Sequence, residues 1–125
     1  MLNFNVVIIG SGLAGLSTAI KLADDKTVAI ISKRSLSESS SQWAQGGIAA
    51  SVAIEDSTES HVNDTITAGA GLCDETVTRF VAARSTSALK WLTKMGVNFT
   101  KQANTSDLHL TKEGGHSHRR IAHVA

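Results

Sequence analysis

The stretch Val6-Val7-Ile8-Ile9-Gly10-Ser11-Gly12-Leu13-Ala14-Gly15 decides the fold. Its first four residues form an apolar, β-branched run without polar alternation, which predicts a parallel strand covered on both faces. Gly10, Gly12 and Gly15 follow with the spacing G-x-G-x-x-G. Directly after a strand, this spacing predicts a tight turn, close approach of a pyrophosphate to the backbone, and a helix whose N-terminus faces the phosphates.

A helix over about residues 13–23 and a strand at Val28–Ile31 are expected to complete one βαβ unit of an α/β dinucleotide-binding fold. The apolar residues at helical spacing are expected to form the buried face of that helix: Leu13, Leu16, Ile20 and Ala23.

Ser32 stands where a dinucleotide fold usually has an Asp or Glu that binds a ribose hydroxyl. A serine forms a weaker hydrogen bond to a ribose than a carboxylate does, which weakens a nicotinamide interpretation. Lys33 is a candidate for binding phosphate or adenosine. The alternative is that Lys33 and Arg34 are solvated loop charges.

Length and composition predict one soluble globular domain. The chain has 125 residues, 42% hydrophobic and 18% charged, with a formal net charge of +1, which gives no electrostatic argument for nucleic acid or membrane binding. No apolar run is long enough to span a bilayer and Cys73 is the one cysteine, so we expect a cytoplasmic protein.

The sequence stops at Ala125 in what looks like the middle of an element, so we expect a fragment.

A serine-rich loop, Ser35–Ser41, runs into the segment Gln42-Trp43-Ala44-Gln45-Gly46-Gly47-Ile48-Ala49-Ala50. Its hydroxyls and amides offer many hydrogen-bond donors, and Gly46-Gly47 permits close backbone approach. We expect this loop to lie against a cofactor, because ligands of open α/β sheets bind at the carboxyl ends of the strands.

Two further helices are expected. The first covers about residues 57–68, with Asp56 or Ser57 as its N-cap and Glu59 completing a capping box with Asp56. His61 and Asp64 on this helix are interpreted as surface or capping residues.

The second of these helices covers about residues 75–95, begins after Asp74 and is followed by a short strand at residues 97–100. Its apolar stripe is expected to be core: Val77, Phe80, Val81, Ala88, Trp91, Leu92 and Met95.

A second polar concentration lies in residues 108–120, around the pair Gly114-Gly115. A metal site would use His116 and His118 but lacks a third ligand, so no metal is expected. A nucleic-acid patch lacks an aromatic platform. A site for an anionic small molecule fits better, because the arginines of this segment can clamp carboxylates and Glu113 can orient an ammonium group.

Three segments, in this order, resemble the L-aspartate oxidases, which belong to the succinate dehydrogenase and fumarate reductase flavoprotein family. They are Gly10–Gly15, Ser40–Ala50 and Glu113-Gly114-Gly115-His116-Ser117-His118-Arg119-Arg120. The resemblance covers essentially all 125 residues. It implies an incomplete Rossmann-like FAD-binding domain of that flavoprotein type, whose capping and C-terminal helical domains are absent from this chain.

The resemblance also implies which residues bind FAD and substrate. The implied FAD-binding residues are Gly10, Ser11, Gly12, Leu13, Ala14, Gly15, Lys33, Ser40, Ser41, Gln42, Trp43, Ala44, Gln45, Gly46 and Gly47. Glu113 matches the position that helps orient aspartate, while the main catalytic arginine lies outside this chain. Membrane-bound relatives attach the flavin covalently to the His of a His-Thr pair, which here is Ser40-Ser41, so non-covalent FAD is implied.

The implied reaction is oxidation of L-aspartate to iminosuccinate, with dioxygen or fumarate as electron acceptor, as the first step of de novo NAD biosynthesis. Iminosuccinate would pass to quinolinate synthase. One alternative is a soluble fumarate reductase-like flavoprotein, and another is a non-catalytic nucleotide-binding module. The 125 residues alone are expected to be inactive.

Overall fold

The chain forms two compact units, residues 1–45 and 46–125. The structure is a computed structural model that describes residues 1–44 and 47–124. Unit 1 contains β1 (Val6–Ile9), α1 (Leu13–Leu22), β2 (Val28–Ile31) and the short α2 (Ser40–Trp43). Unit 2 contains β3 (Ile48–Ala49), α3 (Thr58–Gly69), α4 (Glu75–Lys94), β4 (Leu110–Thr111) and β5 (Ile121–Ala122).

Unit 1 is the predicted βαβ unit. β1 and β2 are parallel, with Val6 opposite Val28 and Ile9 opposite Ile31. The Gly10 amide donates to the Ile31 carbonyl at 2.8 Å, so the pairing extends into the glycine turn. Both strands have the predicted bounds, and α1 ends one residue before the predicted end.

The predicted burial of unit 1 is wrong in two places. Val7 and Ile9 of β1 are exposed, because two strands and one helix supply cover for only one face. On α1 the buried residue is Ala19, whereas Leu13 and Ile20 are about half exposed. α1 meets the sheet through its small residues: a Cβ at Gly15 would lie 2.2 Å from the Gly10 carbonyl oxygen and 3.4 Å from Ile8.

Unit 2 combines a small antiparallel sheet with α3 and α4. β5 is the central strand, paired with β3 on one side and β4 on the other. A buried cluster of Ala50, Leu89 and Ala122 forms the core, with partly buried Ile48, Phe99, Leu108 and Leu110 packed against it. The predicted strand at residues 97–100 does not form. Instead, the Thr100 amide donates to the His123 carbonyl, and Lys101 makes a single bridge to Leu108.

Both helices of unit 2 begin at a predicted N-cap, but the predicted capping box does not form. Ser57 is the N-cap of α3 and accepts from the Ser60 amide, so the capping box of Asp56 and Glu59 is wrong. Asp74 caps α4 as predicted, accepting from the Val77 amide at 2.9 Å.

The apolar stripe predicted for the core of α4 is mostly exposed. The buried residues of α4 are Ala82 and Leu89, which lie seven residues apart. Val77, Phe80, Val81, Ala88 and Met95 are exposed, and Trp91 and Leu92 are partly buried. Helical spacing identified an apolar face, but α4 is buried along a different line, because neither Ala82 nor Leu89 belongs to the predicted stripe. In the part of the chain that the structure describes, no helix is both long and apolar enough to cross a membrane.

Candidate functional site

The glycine turn between β1 and α1 forms an open cradle. Gly10 has φ of +108°, which L side chains rarely adopt. Gly12 is the N-cap of α1 and offers no capping side chain, and the first turn contains no acidic residue. The positive end of the helix dipole therefore faces no negative charge from its own helix, which suits an anionic ligand such as a pyrophosphate.

A cleft of about 490 Å³ opens beside this turn, past the carboxyl ends of β1 and β2. This is where open α/β sheets bind nucleotides. Seven of its nine lining residues have polar or charged side chains; the lining comprises Gly10, Ser11, Ser32, Lys33, Arg34, Glu38, Ser39, Ser40 and Trp43. The residues present in unit 1 therefore fit a dinucleotide.

The serines of unit 1 connect the parts of the cleft. Ser11 is buried, and its hydroxyl lies 3.3 Å from the hydroxyl of Ser32, which in turn donates to the Arg34 carbonyl. Ser41 accepts from the Leu13 amide at 3.1 Å, and a Cβ at Gly12 would lie 3.4 Å from the Ser41 hydroxyl. The serine-rich loop thus reaches the N-terminus of α1.

Several predicted cofactor residues lie together in unit 1. Five of them line the cleft: Gly10, Ser11, Lys33, Ser40 and Trp43. Gly12, Leu13, Ala14 and Gly15 form the start of α1, while Gln42 lies in α2 and Ala44 follows it. Gln45 and Gly46 lie outside the described residues.

Gly47 belongs to unit 2, where it has a packing role. A Cβ at this position would lie 2.2 Å from the Ala122 carbonyl oxygen, so the strand pairing around β5 already requires a glycine there. The sequence pattern of Gly46-Gly47 predicts the approach of a cofactor, and it carries no signal for this packing role of Gly47.

Glu113 lies in an exposed turn of unit 2, between β4 and β5. Its carbonyl accepts from the His116 amide at 3.2 Å. Among residues 1–44 and 47–124, its carboxylate has no hydrogen bond or ion pair. It is therefore available to a ligand from outside the described chain.

Arg120 is the centre of a buried charge cluster that the sequence analysis missed. Its side chain is fully buried and forms a fork with Asp56, with Nε to Oδ2 at 2.8 Å and Nη2 to Oδ1 at 2.7 Å. Its Nη1 donates to Asp64 Oδ2 at 2.6 Å and lies 3.2 Å from His116 Nδ1. Because a guanidinium only donates, His116 Nδ1 is the acceptor in that contact.

This cluster corrects two predictions. The sequence predicts that Arg120 helps to clamp a ligand carboxylate, but the two aspartates of its own unit occupy its donors. The sequence predicts surface or capping roles for His61 and Asp64, but His61 is buried and Asp64 is paired with Arg120. The two aspartates precede Arg120 by 64 and 56 residues, and no local spacing rule predicts a pair at such a distance.

The cluster shifts the ionisation of its members. Burial by itself would raise the pKa of Asp64, but donation from the Ser117 amide, the Ser117 hydroxyl and Arg120 lowers it to about 2. The pKa of Asp56 is also lowered: burial opposes the shift, but the hydrogen bonds from Arg120 and from the Ser57 amide outweigh it. Burial lowers the pKa of His61, and the charge of Arg120 lowers it further.

The fold and the cleft of unit 1 define a dinucleotide-binding α/β protein. Residues 5–125 match the FAD binding domain family, and the chain belongs to that family. Its cofactor is therefore FAD.

Enzymes from several bacteria are similar to this chain over nearly its whole length. L-aspartate oxidase 1 of Ralstonia nicotianae is 54% identical over 125 residues, covering 99% of this chain and 24% of that protein. L-aspartate oxidase of Pseudomonas aeruginosa is 48% identical over 127 residues, covering 97% and 24%. The chain thus spans about a quarter of the length of the curated relatives it matches.

Solved structures of the succinate dehydrogenase and fumarate reductase type share the fold. Mycobacterium smegmatis Sdh1 in complex with UQ1 matches with a TM-score of 0.90 at 29% identity, covering 97% of this chain and 21% of that one. A mutant of FrdA from the E. coli quinol fumarate reductase matches with a TM-score of 0.90 at 27% identity, covering 97% and 21%. The predicted fold class is confirmed.

Replacing Arg120 with alanine should destabilise the protein strongly. Two aspartates would lose their counter-charge in a buried site, and removing one partner of such a pair typically costs about 3–5 kcal/mol. The free energy of unfolding from urea titration measures the loss. Arg79→Ala is the matched control. Because Arg79 pairs with Glu59 and Glu75 on an exposed surface, its removal should lower the free energy of unfolding only slightly. Equal losses for both variants would contradict the buried cluster.

Asp64→Asn should weaken the dependence of the free energy of unfolding on pH in the acidic range. The pKa of Asp64 is about 2 in the folded chain and about 3.9 in an unfolded one, so this carboxylate stabilises the fold above about pH 4. That contribution disappears as the pH falls through about 2. The variant should therefore lose less stability than the parent between pH 4 and 2 in urea titrations, and Ser117→Ala, which removes one donor, should be intermediate. Parallel curves for all three would be evidence against the assigned hydrogen bonds.

Proposed function

We propose that this chain is the N-terminal, FAD-holding part of an L-aspartate oxidase, which converts L-aspartate to iminosuccinate. The observation that carries the proposal is its 54% and 48% identity with two proteins of that name, across almost all of its length. The capping and C-terminal helical domains, and the main catalytic arginine, would lie in the rest of a longer polypeptide.

The glycine turn, Lys33 and the segment that begins at Ser40 would hold the cofactor. The N-terminus of α1 at Gly12, Leu13 and Ala14 would bind the pyrophosphate, and Lys33 would bind phosphate or adenosine. The segment Ser40–Gly47 would lie along the isoalloxazine. FAD supplies, when bound, the acceptor for the hydride that leaves Cα of the substrate.

Glu113 would orient the substrate. Its exposed carboxylate has no partner in the described chain, and an anionic carboxylate attracts the ammonium group of an amino acid. Such a contact distinguishes aspartate from dicarboxylates that lack the amine. Glu113 would therefore supply substrate selectivity.

The FAD would be bound non-covalently. By the resemblance described above, Ser40-Ser41 would correspond to the His-Thr pair to which membrane-bound relatives attach the flavin, and a serine has no imidazole for that bond. Ser40 lines the cleft and Ser41 accepts from the Leu13 amide. Both would contribute polar contacts to a cofactor that is free to dissociate.

The wider role follows from the proposed product. Dioxygen or fumarate would reoxidise the enzyme, and a quinolinate synthase would consume iminosuccinate in the first steps of NAD biosynthesis. A single cysteine and a near-neutral net charge are consistent with a cytoplasmic enzyme that binds neither membrane nor nucleic acid.

A soluble fumarate reductase-like flavoenzyme is the second candidate, because those folds match at 27–29% identity. The higher identity to L-aspartate oxidases, and a free carboxylate at Glu113 that a substrate without an amine does not need, favour the oxidase.

The longer polypeptide should bleach its flavin absorbance when L-aspartate is added without oxygen, and should form peroxide in air. Acid precipitation of the holoenzyme should release all of the yellow colour into the supernatant. The 125-residue chain alone is the control and should show no aspartate-dependent peroxide. Fumarate reduction with a reduced donor, together with an unbleached flavin in aspartate, would assign the protein to the second candidate instead.

A further inference from the structure

The turn that carries Glu113 is tied to α3 through one carboxylate oxygen. Oδ2 of Asp64 accepts from the Ser117 amide at 2.7 Å and from the Ser117 hydroxyl at 2.8 Å. The same oxygen accepts from Arg120 Nη1 at 2.6 Å. One side chain of α3 therefore fixes both the turn and the residue that leads into β5.

The turn is also closed on itself. The His116 amide donates to the Glu113 carbonyl at 3.2 Å, and Lys112 Nζ donates to the Ser117 carbonyl at 3.0 Å. Gly115 has φ of +84°, and a Cβ there would lie 3.4 Å from the Cβ of Ala68 on α3. The backbone of Glu113 thus follows the placement of Ser117 and His116.

The connection between Asp64 and Glu113 has two branches. One runs through Ser117 to Lys112, which precedes Glu113. The other runs through Arg120 to the ring of His116, whose amide contacts the Glu113 carbonyl. Both branches start at Asp64 Oδ2, and the second continues through Arg120, which is also held by its fork with Asp56.

We propose that Asp64 is a positioning residue that sets where the Glu113 carboxylate meets the ammonium group of the substrate. The proposal rests on the proposed function, since it needs Glu113 to contact substrate. Asp64 itself is 18% exposed and is already engaged by three donors, so it acts through the turn and not on the substrate. It should therefore matter for an amino dicarboxylate and not for a dicarboxylate without the amine.

The test uses Asp64→Asn in the full-length holoenzyme. The amide weakens the charge-assisted contacts with Ser117 and Arg120, so the KM for L-aspartate should rise about tenfold, as expected for loss of a hydrogen bond to a charged group. The inhibition constant of succinate, which lacks the ammonium group, should stay within about twofold of the parent value. A purely structural defect would instead change both constants together or lower the flavin content.

A double-mutant cycle tests whether Asp64 acts through Glu113. Glu113→Gln alone should raise the KM for L-aspartate without changing succinate inhibition, and adding Asp64→Asn should raise it no further. Ser117→Ala is a milder variant that keeps the ion pair, and it should shift the KM in the same direction. Glu59→Gln is the control on α3, because Glu59 forms an exposed ion pair with Arg79 and should leave both constants unchanged.

The outcomes separate this inference from the proposed function. If Glu113→Gln raises the KM selectively but Asp64→Asn does not, or if the two effects add, the positioning role is wrong and the proposed function stands. If Glu113→Gln leaves the ratio of the two constants unchanged, the substrate role of Glu113 falls and the positioning role falls with it.

Discussion

The charge of Arg120 cannot stay buried without partners, and this requirement organises unit 2. A guanidinium removed from water needs counter-charges and acceptors for its donors. Asp56, just before α3, and Asp64, within α3, supply them from two directions. Because Arg120 directly precedes the central strand β5, the cluster fixes α3 against the sheet and fixes the turn that begins at Lys112.

In unit 1, by contrast, the positive end of a helix has no carboxylate from the same helix to neutralise it. The N-terminus of α1 starts at a glycine, has no acidic residue in its first turn and opens beside a polar cleft. Unit 2 thus neutralises its buried charge internally, whereas unit 1 leaves the positive end of a helix dipole to an external anion. That contrast matches the division of roles proposed for the two units, in which one holds the cofactor and the other presents Glu113 to the substrate.

Much of the fold could be predicted because its signals are local. The apolar runs of β1 and β2 and the Asp74 cap depend on neighbouring residues, and their predicted positions are correct. Burial was predicted poorly, since it depends on which elements cover a face: α1 buries Ala19, and α4 buries Ala82 and Leu89. The strands β4 and β5 are two residues long and have no periodic signal to detect.

In the candidate site, too, the residues with a local sequence signal were predicted and those without one were missed. The residues around the glycine turn were predicted because spacing alone encodes the turn, and five predicted residues line one cleft. The Arg120 cluster was missed because its members meet only in the folded chain. Asp64 carries no sequence signal of its own, although three donors converge on one of its oxygens.

The flavin content of the purified full-length Gly12→Asp variant tests the central claim most directly. Aspartate is a favoured N-cap, so the variant should keep α1 and fold, but its carboxylate would repel a pyrophosphate at the helix N-terminus. The account predicts almost no bound FAD in this variant and a milder loss in Gly12→Ala, whose Cβ would lie 3.4 Å from the Ser41 hydroxyl. Full flavin occupancy in Gly12→Asp would contradict the assignment of this turn to the cofactor.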